Sequence, residues 1–205
     1  MKNYLKFIKS NHAADKGFTL IEILVAAVIM SMVVTLAGTA FVALLQQNQK
    51  AKAESDRRTN LNRALDYMAG EIRTAKKIES TSVAGEVKLT LPDNSNVIYS
   101  IADSSGVWTD ANSKSIKRGS KFLVDGIKAP SSGAPTPTCP TPTPAPTPPH
   151  QLVGSNGFYA CIYSGGKKVD LYLYGKLSDE PRDPDYNKRL EVKSTVYTRA
   201  NELNP

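Results

Sequence analysis

The sequence is poor in the residues that do chemistry. Of 205 residues, two are histidine and two are cysteine. His12 lies in the basic N-terminal stretch, and His150 alone can form neither a zinc site nor a catalytic triad. Cys139 and Cys161 lack the short spacing of a metal-binding pair. No glycine-rich phosphate loop occurs. The chain is therefore not expected to be an enzyme, to carry a cofactor or to hold a metal. Charge is missing as well: from Ile23 to Gln49 there is no Asp, Glu, Lys or Arg. As a helix rising about 1.5 Å per residue that stretch spans about 40 Å, enough to cross a bilayer core of about 30 Å.

The net charge of +7 is unevenly placed. Lys2, Lys6, Lys9 and Lys16 precede the apolar run, against Asp15 alone. Lysines in front of a hydrophobic helix favour a cytoplasmic N-terminus and export of the remainder of the chain. Residues 80–205 hold fourteen basic and twelve acidic side chains, so that part is close to neutral and nucleic acid is not implied by charge alone. An exported chain permits a disulfide between Cys139 and Cys161, and a loop of about 20 residues closed in this way gains roughly 3 kcal/mol. Two separate thiols are the alternative, since sequence does not fix pairing.

Residues 1–17 form a short polar leader ending in Gly17, followed by Phe18-Thr19-Leu20-Ile21-Glu22 and the apolar run. A secretory signal is cut after its apolar core. Here a cut at Gly17 would leave the membrane helix on the mature chain. Glu22 is the odd residue, because a carboxylate near the bilayer centre costs roughly 2.5–3.5 kcal/mol on insertion scales. Two readings stay open. It lies at the headgroup level, where the cost is small, or it meets the N-terminal amine of a neighbouring copy and fixes the axial register between subunits.

Gly17 to Glu22, with the basic leader and the apolar helix, closely resembles the prepilin processing and methylation signal of type IV pilins and type II secretion pseudopilins. The resemblance implies that prepilin peptidase cuts between Gly17 and Phe18, that the Phe18 amine is N-methylated, and that Glu22 is the acid required for assembly. It further implies an inner-membrane assembly platform, a major pilin and other minor pilins as partners. One departure is the sequence Ala37-Gly38-Thr39-Ala40, where many major pilins carry a helix-kinking proline. That favours an accessory subunit.

Beyond Gln49, Leu61, Leu65, Met68, Ile72, Ala75 and Ile78 recur at spacings of three and four, one apolar stripe on a helix. No Pro or Gly interrupts residues 39–69. The pattern predicts one helix from about Phe18 to Ile78, about 90 Å long. It divides into a membrane and filament-core half (18–49) and an amphipathic half (50–79) whose stripe packs on a sheet. Arg57, Arg58, Arg63 and the other charges between stripe positions read as a solvated face. Leu65 to Ala75 resembles the helix end of W-type minor pilins and J-type pseudopilins, and Ser194 to Asn201 resembles their final strand.

Beyond Gly85 the period changes to two at Val87, Leu89 and Leu91, and again at Leu190, Val192 and Val196, with short apolar segments at Val97 to Ile101 and Val107 to Thr109 and an apolar patch at Phe122, Leu123, Val124 and Ile127 between them. Gly157–Tyr163 and Val169–Leu177 flank Ser164-Gly165-Gly166-Lys167, a hairpin signal. Six to eight short, mostly antiparallel strands are expected. The fold class is thus α+β: a type IV pilin-like long helix, apolar then amphipathic, on an antiparallel sheet. The Pro/Thr-rich insertion 130–150 can form neither ladder nor helix bonds and reads as an exposed insertion in polyproline II or unstructured form, or as a surface arm glycosylated on its threonines. Asp179, Glu180, Asp183 and Asp185 suggest a solvated turn rather than a calcium loop. Lys114, Lys117, Arg118 and Lys121 suggest a basic loop able to touch DNA or an acidic polysaccharide.

The sequence taken whole points to a minor type IV pilin that assembles into, primes or caps a pilus. It would sit in the inner membrane as a single-pass protein and then in a filament at the cell surface or in the periplasm. The rivals are a J-like pseudopilin of a type II secretion system, a DNA-uptake subunit, with nucleic acid left open as a partner, and a membrane-anchored adhesin that never polymerises.

Overall fold

The computed structural model of the chain describes residues 17–83, 85–104, 108, 112–130, 136–140, 150–178 and 181–198. The expected leader before Gly17, most of the Pro/Thr-rich insertion, Asp179 and Glu180, and the strand expected at Val107–Thr109 apart from Trp108 lie outside the described residues, as do Arg199 to Asn201. The chain divides into two units, Met1–Lys50 and Ala51–Pro205. One helix, α1 (Leu20–Thr74), contributes to both. In the first unit it is exposed on all sides.

In the second unit α1 turns one stripe inward, burying Leu61, Ala64, Leu65, Met68, Ala69 and Ile72. The helix ends earlier than its periodicity predicts. The N–H of Ala75 closes the last turn on the carbonyls of Glu71 and Ile72 (3.0 and 3.1 Å), and the N–H of Lys76 already donates to Thr90 O (2.7 Å). Ile78 lies in a strand. Ala75 and Ile78 are both buried in the same core, so their spacing from Ile72 continues the apolar pattern although the helix has stopped.

Nine strands follow among the described residues: β1 (Lys77–Ser80), β2 (Val87–Thr90), β3 (Asn96–Asp103), β4 (Lys114–Arg118), β5 (Lys121–Ile127), β6 (Gln151–Ser155), β7 (Phe158–Ile162), β8 (Lys168–Lys176) and β9 (Arg189–Tyr197). They form one sheet in the order β1-β2-β3-β4-β5-β8-β7-β6, with β9 on β8. Every pairing is antiparallel. Alternate residues such as Val87, Leu89, Tyr99, Ile116 and Leu171 face the helix stripe, so the period of two in the strands meets the period of 3.6 in α1.

The hairpin expected around Gly165 and Gly166 joins β7 to β8, with both glycines at positive φ. A second tight turn, Asn156-Gly157, joins β6 to β7 with φ of 49° and 98°, the left-handed pair that a two-residue hairpin requires. The join between β5 and β8 is narrow. Only Ile127 and Gly175 pair there, supplemented by a bond from Lys128 N to Tyr174 O (3.0 Å). Cys139 and Cys161 form a disulfide, with Cα atoms 5.5 Å apart, that ties the insertion to β7.

Candidate functional site

The start of α1 is built by its own first residues. Gly17 has open space around it, and Phe18 is 80 % exposed. Thr19 and Glu22 then cap each other. The N–H of Glu22 donates to Thr19 Oγ1, while the N–H and hydroxyl of Thr19 both donate to Glu22 Oε2, each at 3.3 Å. This is a capping box, Thr-x-x-Glu, which satisfies amide donors that every helix start leaves open. The Glu22 carboxylate also lies at the positive end of the helix dipole. The spacing of Thr19 and Glu22 carries this signal in plain sequence, beside the headgroup and intermolecular roles that the sequence suggested for Glu22.

The next stretch of helix surface is suited to lipid or to other helices. Sixteen large apolar side chains between Leu20 and Leu45 are exposed, and an 18-residue window has mean hydropathy 2.5 with none of it buried. Burying one such side chain stabilises by roughly 1.5–3 kcal/mol. Covering all of them is therefore worth tens of kcal/mol, more than the roughly 5–15 kcal/mol by which a whole domain is normally stable. The polar side chains in this stretch are turned back on the helix. Ser31, Thr35 and Thr39 donate their hydroxyls to the carbonyls of Val28, Ser31 and Leu36 at 2.7, 2.7 and 2.9 Å. These hydroxyl donors are thus not left facing the apolar surroundings.

In the second unit two charged side chains fasten α1 to the sheet. Arg57 is not on the solvated face that the sequence suggested; it is 7 % exposed. Its Nη2 donates to the carbonyls of Asp125 and Gly126, both at 2.6 Å, and its guanidinium lies 5.0 Å from the centre of the Trp108 ring. Two glycines make the room. A Cβ on Gly126 would come within 2.6 Å of Trp108, and one on Gly175 within 2.6 Å of Leu61 Cδ1 and 2.9 Å of Arg57 Nε. Burial pulls Arg57 down to about 10, only partly offset by the charge of Asp125. Lys176, fully buried, also lies within 5.7 Å of the Trp108 ring. Asp125 accepts from Ser115 Oγ (2.8 Å), its neighbour's Gly126 N–H (2.8 Å) and Ser104 Oγ. Burial alone would raise its carboxyl, but these bonds and Arg57 outweigh that and hold it below the usual range.

The second fastening is Glu71, which Arg118 holds in a fork. Nε lies 2.8 and 2.9 Å from the two carboxylate oxygens, and Nη2 lies 2.6 Å from Oε1. The hydroxyl of Tyr99 donates to Oε2. Burial acts to raise the Glu71 carboxyl, but the bonds from Arg118 and Tyr99 prevail and lower it. A lowered carboxyl stabilises the fold above its unfolded value of about 4.5 and loses that contribution as pH falls through the lower folded value. Glu71→Gln is accordingly expected to lose about 1.5–3 kcal/mol near pH 7, the scale of hydrogen bonds to a charged group. The loss should shrink towards pH 3, which urea unfolding of the detergent-solubilised chain at both pH values would measure.

The basic residues read as a loop form a hairpin instead. Lys114, Lys117 and Arg118 lie in β4, and Lys121 opens β5. Ile116 alone carries the apolar pattern of β4, which is why it did not read as a strand. Its charges are engaged: Lys114 with Asp103 at 2.5 Å, Arg118 with Glu71, and Lys117 over the Phe122 ring at 4.5 Å. Asp183 and Asp185 sit in a turn closed by the bond from Asp185 N to Asp183 Oδ1 (2.8 Å), and Asp185 pairs with Lys188 at 2.7 Å. The His150 ring packs against Tyr163 at a tilt of 50°, with ring centres 4.3 Å apart, and its Nδ1 lies 2.8 Å from Pro140 O. Among the described residues no group of three or more His, Cys, Asp and Glu side chains could hold a metal ion.

Residues 13–38 match the family model of the prokaryotic N-terminal methylation motif, the signal of type IV pilins and pseudopilins. No curated protein and no solved structure matches the chain. The motif supports a structural subunit of the pilin or pseudopilin kind, held to a membrane by its N-terminal helix. It implies processing by prepilin peptidase and assembly into a pilus-type fibre.

Proposed function

We propose that the chain is a minor pilin. It is made as a prepilin in the inner membrane, cut between Gly17 and Phe18, methylated on the Phe18 amine and drawn into, or onto the end of, a type IV pilus. The observation that carries this reading is the methylation motif at residues 13–38 running into an apolar helix with none of its most hydrophobic window buried. Such a surface is stable only against lipid or against helices of other subunits. Prepilin peptidase, the assembly platform, a major pilin and other minor pilins are the partners this requires. Glu22 supplies register by meeting the Phe18 amine of a neighbouring subunit once the leader is gone. The absence of a helix-kinking proline from Ala37 to Ala40 supports an accessory place in the fibre.

A J-like secretion pseudopilin would share every one of these features except an exposed fibre, to which the Pro/Thr-rich sequence 130–150 inclines the reading. Nucleic acid uptake draws less support, because the charges of the β4–β5 hairpin are largely spent within the protein. A deletion strain scored together for surface pili and secreted proteins tests the assignment. Lost pili with normal secretion is expected; intact pili with lost secretion would move the protein to a secretion pseudopilus.

A further inference from the structure

The edge strands of the sheet are not alike. Strand β1 is tied down within the second unit: its Ile78 N–H donates to Gly166 O (3.1 Å), and Ser80 Oγ donates to Gln151 Oε1 of β6 (2.8 Å). Strand β9 differs. Among the described residues it pairs with β8 on one side and with no strand on the other. Its nine residues keep an unbroken register with β8, about 30 Å of strand at about 3.4 Å per residue. The bond from Thr198 N to Lys167 O (2.8 Å) continues that register and fixes which way the backbone points. In an antiparallel ladder the bonded pairs alternate. Leu190, Val192, Ser194 and Val196 therefore direct their amides and carbonyls to β8. Glu191, Lys193, Thr195 and Tyr197 turn theirs to the open edge, where no backbone bond meets them among the described residues.

An open edge is a template for another strand, and proteins commonly blunt it with proline, a bulge or charge. Strand β9 has no proline and no bulge. It carries one charge of each sign, Glu191 and Lys193, both exposed on the sheet face away from the core. Lys193 makes no ion pair among the described residues, whereas Lys77, Lys114, Arg118 and Lys188 each meet a carboxylate. A lysine in mid-edge discourages an incoming strand unless that strand sets an acid opposite it.

We propose that the edge of β9 receives β9 of a second copy, antiparallel, in the register centred on Val192. There Lys193 of each copy lies opposite Glu191 of the other in a bonded pair, so two ion pairs form at once. Centred one residue either way, Lys193 faces Lys193 or Glu191 faces Glu191, and like charges directly opposed are unfavourable. Centred on Ser194, neither charge meets an opposite. Strand β9 is thus its own complement in one register, which is why the occupant is a second copy. The two-fold axis stands close to perpendicular to the shared sheet, so the segments of α1 packed on it run in opposite directions. Successive subunits of one fibre run the same way, so the contact joins two fibres lying side by side in opposite senses. That consequence rests on the pilin reading; the pairing itself does not.

The test is sedimentation equilibrium of the full-length protein in density-matched detergent micelles. Wild type is expected to dimerise reversibly. Lys193→Glu and Glu191→Lys each set like charges opposite one another twice, and each should weaken the dimer at least about ten-fold, a difference of about 1.4 kcal/mol. The double variant restores opposite charges and should restore the dimer. All three should keep the wild-type circular dichroism, since both side chains are exposed. A monomer at every concentration, a dimer indifferent to either single change, as association through the apolar helix would give, or a double variant as weak as the singles would each overturn the proposal. None of these outcomes bears on processing at Gly17 or on recovery in filaments, which test the pilin reading separately.

Discussion

Glu22→Ala should leave the protein processed and held in the membrane, yet reduce its recovery in sheared filaments at least about ten-fold. The capping box shows why this substitution must not stand alone. Removing Glu22 also removes the side chain that accepts from Thr19 N and Oγ1. Loss of a helix cap costs about 0.5–2 kcal/mol, which can fray the first turn of a 55-residue helix but not unfold it. A ten-fold assembly defect therefore needs the charge as well as the cap. Glu22→Gln separates the two, because glutamine can serve at the same position of a capping box without carrying charge. The account expects Glu22→Gln to fail in assembly nearly as badly as Glu22→Ala. Assembly at the wild-type level by the Gln variant would sink the register role and leave Glu22 as a helix cap.

Arg57→Ala should produce the largest loss of stability in the sheet-bearing unit, about 3–5 kcal/mol, the scale for removing one partner of a buried charged cluster. Three effects add. The carbonyls of Asp125 and Gly126 lose a shared donor, Asp125 loses its nearby positive charge, and the space kept open by Gly126 and Gly175 is left empty. The position magnifies the loss, because β5 and β8 are otherwise joined there by one residue pair and the bond from Lys128 N to Tyr174 O. Arg57→Lys should recover only part of it, since an ammonium on a flexible stem cannot reproduce the flat guanidinium packed beside the indole. Urea unfolding of the detergent-solubilised chain, followed by Trp108 fluorescence, measures both. A change below about 0.5 kcal/mol for Arg57→Ala is what a solvated surface position gives, and would refute the fastening.

What could be read from the sequence was whatever is written linearly. The methylation motif at residues 13–38 and the uncharged run to Gln49 are contiguous, and the stripe Leu61 to Ile72 and the alternation Val87-Leu89 each obey a single period. The misreadings fall where tertiary contacts override local pattern. Ala75 and Ile78 prolong the helical spacing because helix and strand bury into one core. Arg57 sits among Arg58, Arg63 and other exposed charges, and only the glycines at 126 and 175, distant in sequence, make its burial tolerable. Strand β4 hides because its inward side is partly polar: Ser115 is buried beneath Asp125 instead of presenting an apolar side chain. The Thr19–Glu22 cap and the Asn156-Gly157 turn went unread, although both are short motifs with a fixed spacing.

The central claim, that this chain is a processed subunit of a fibre, is tested most directly by mass spectrometry of sheared, washed filaments. The account predicts a mature form beginning at Phe18 with one methyl group on its amine, present in the filament fraction of the wild type. Protein found only in the membrane fraction and still carrying residues 1–17 would contradict it.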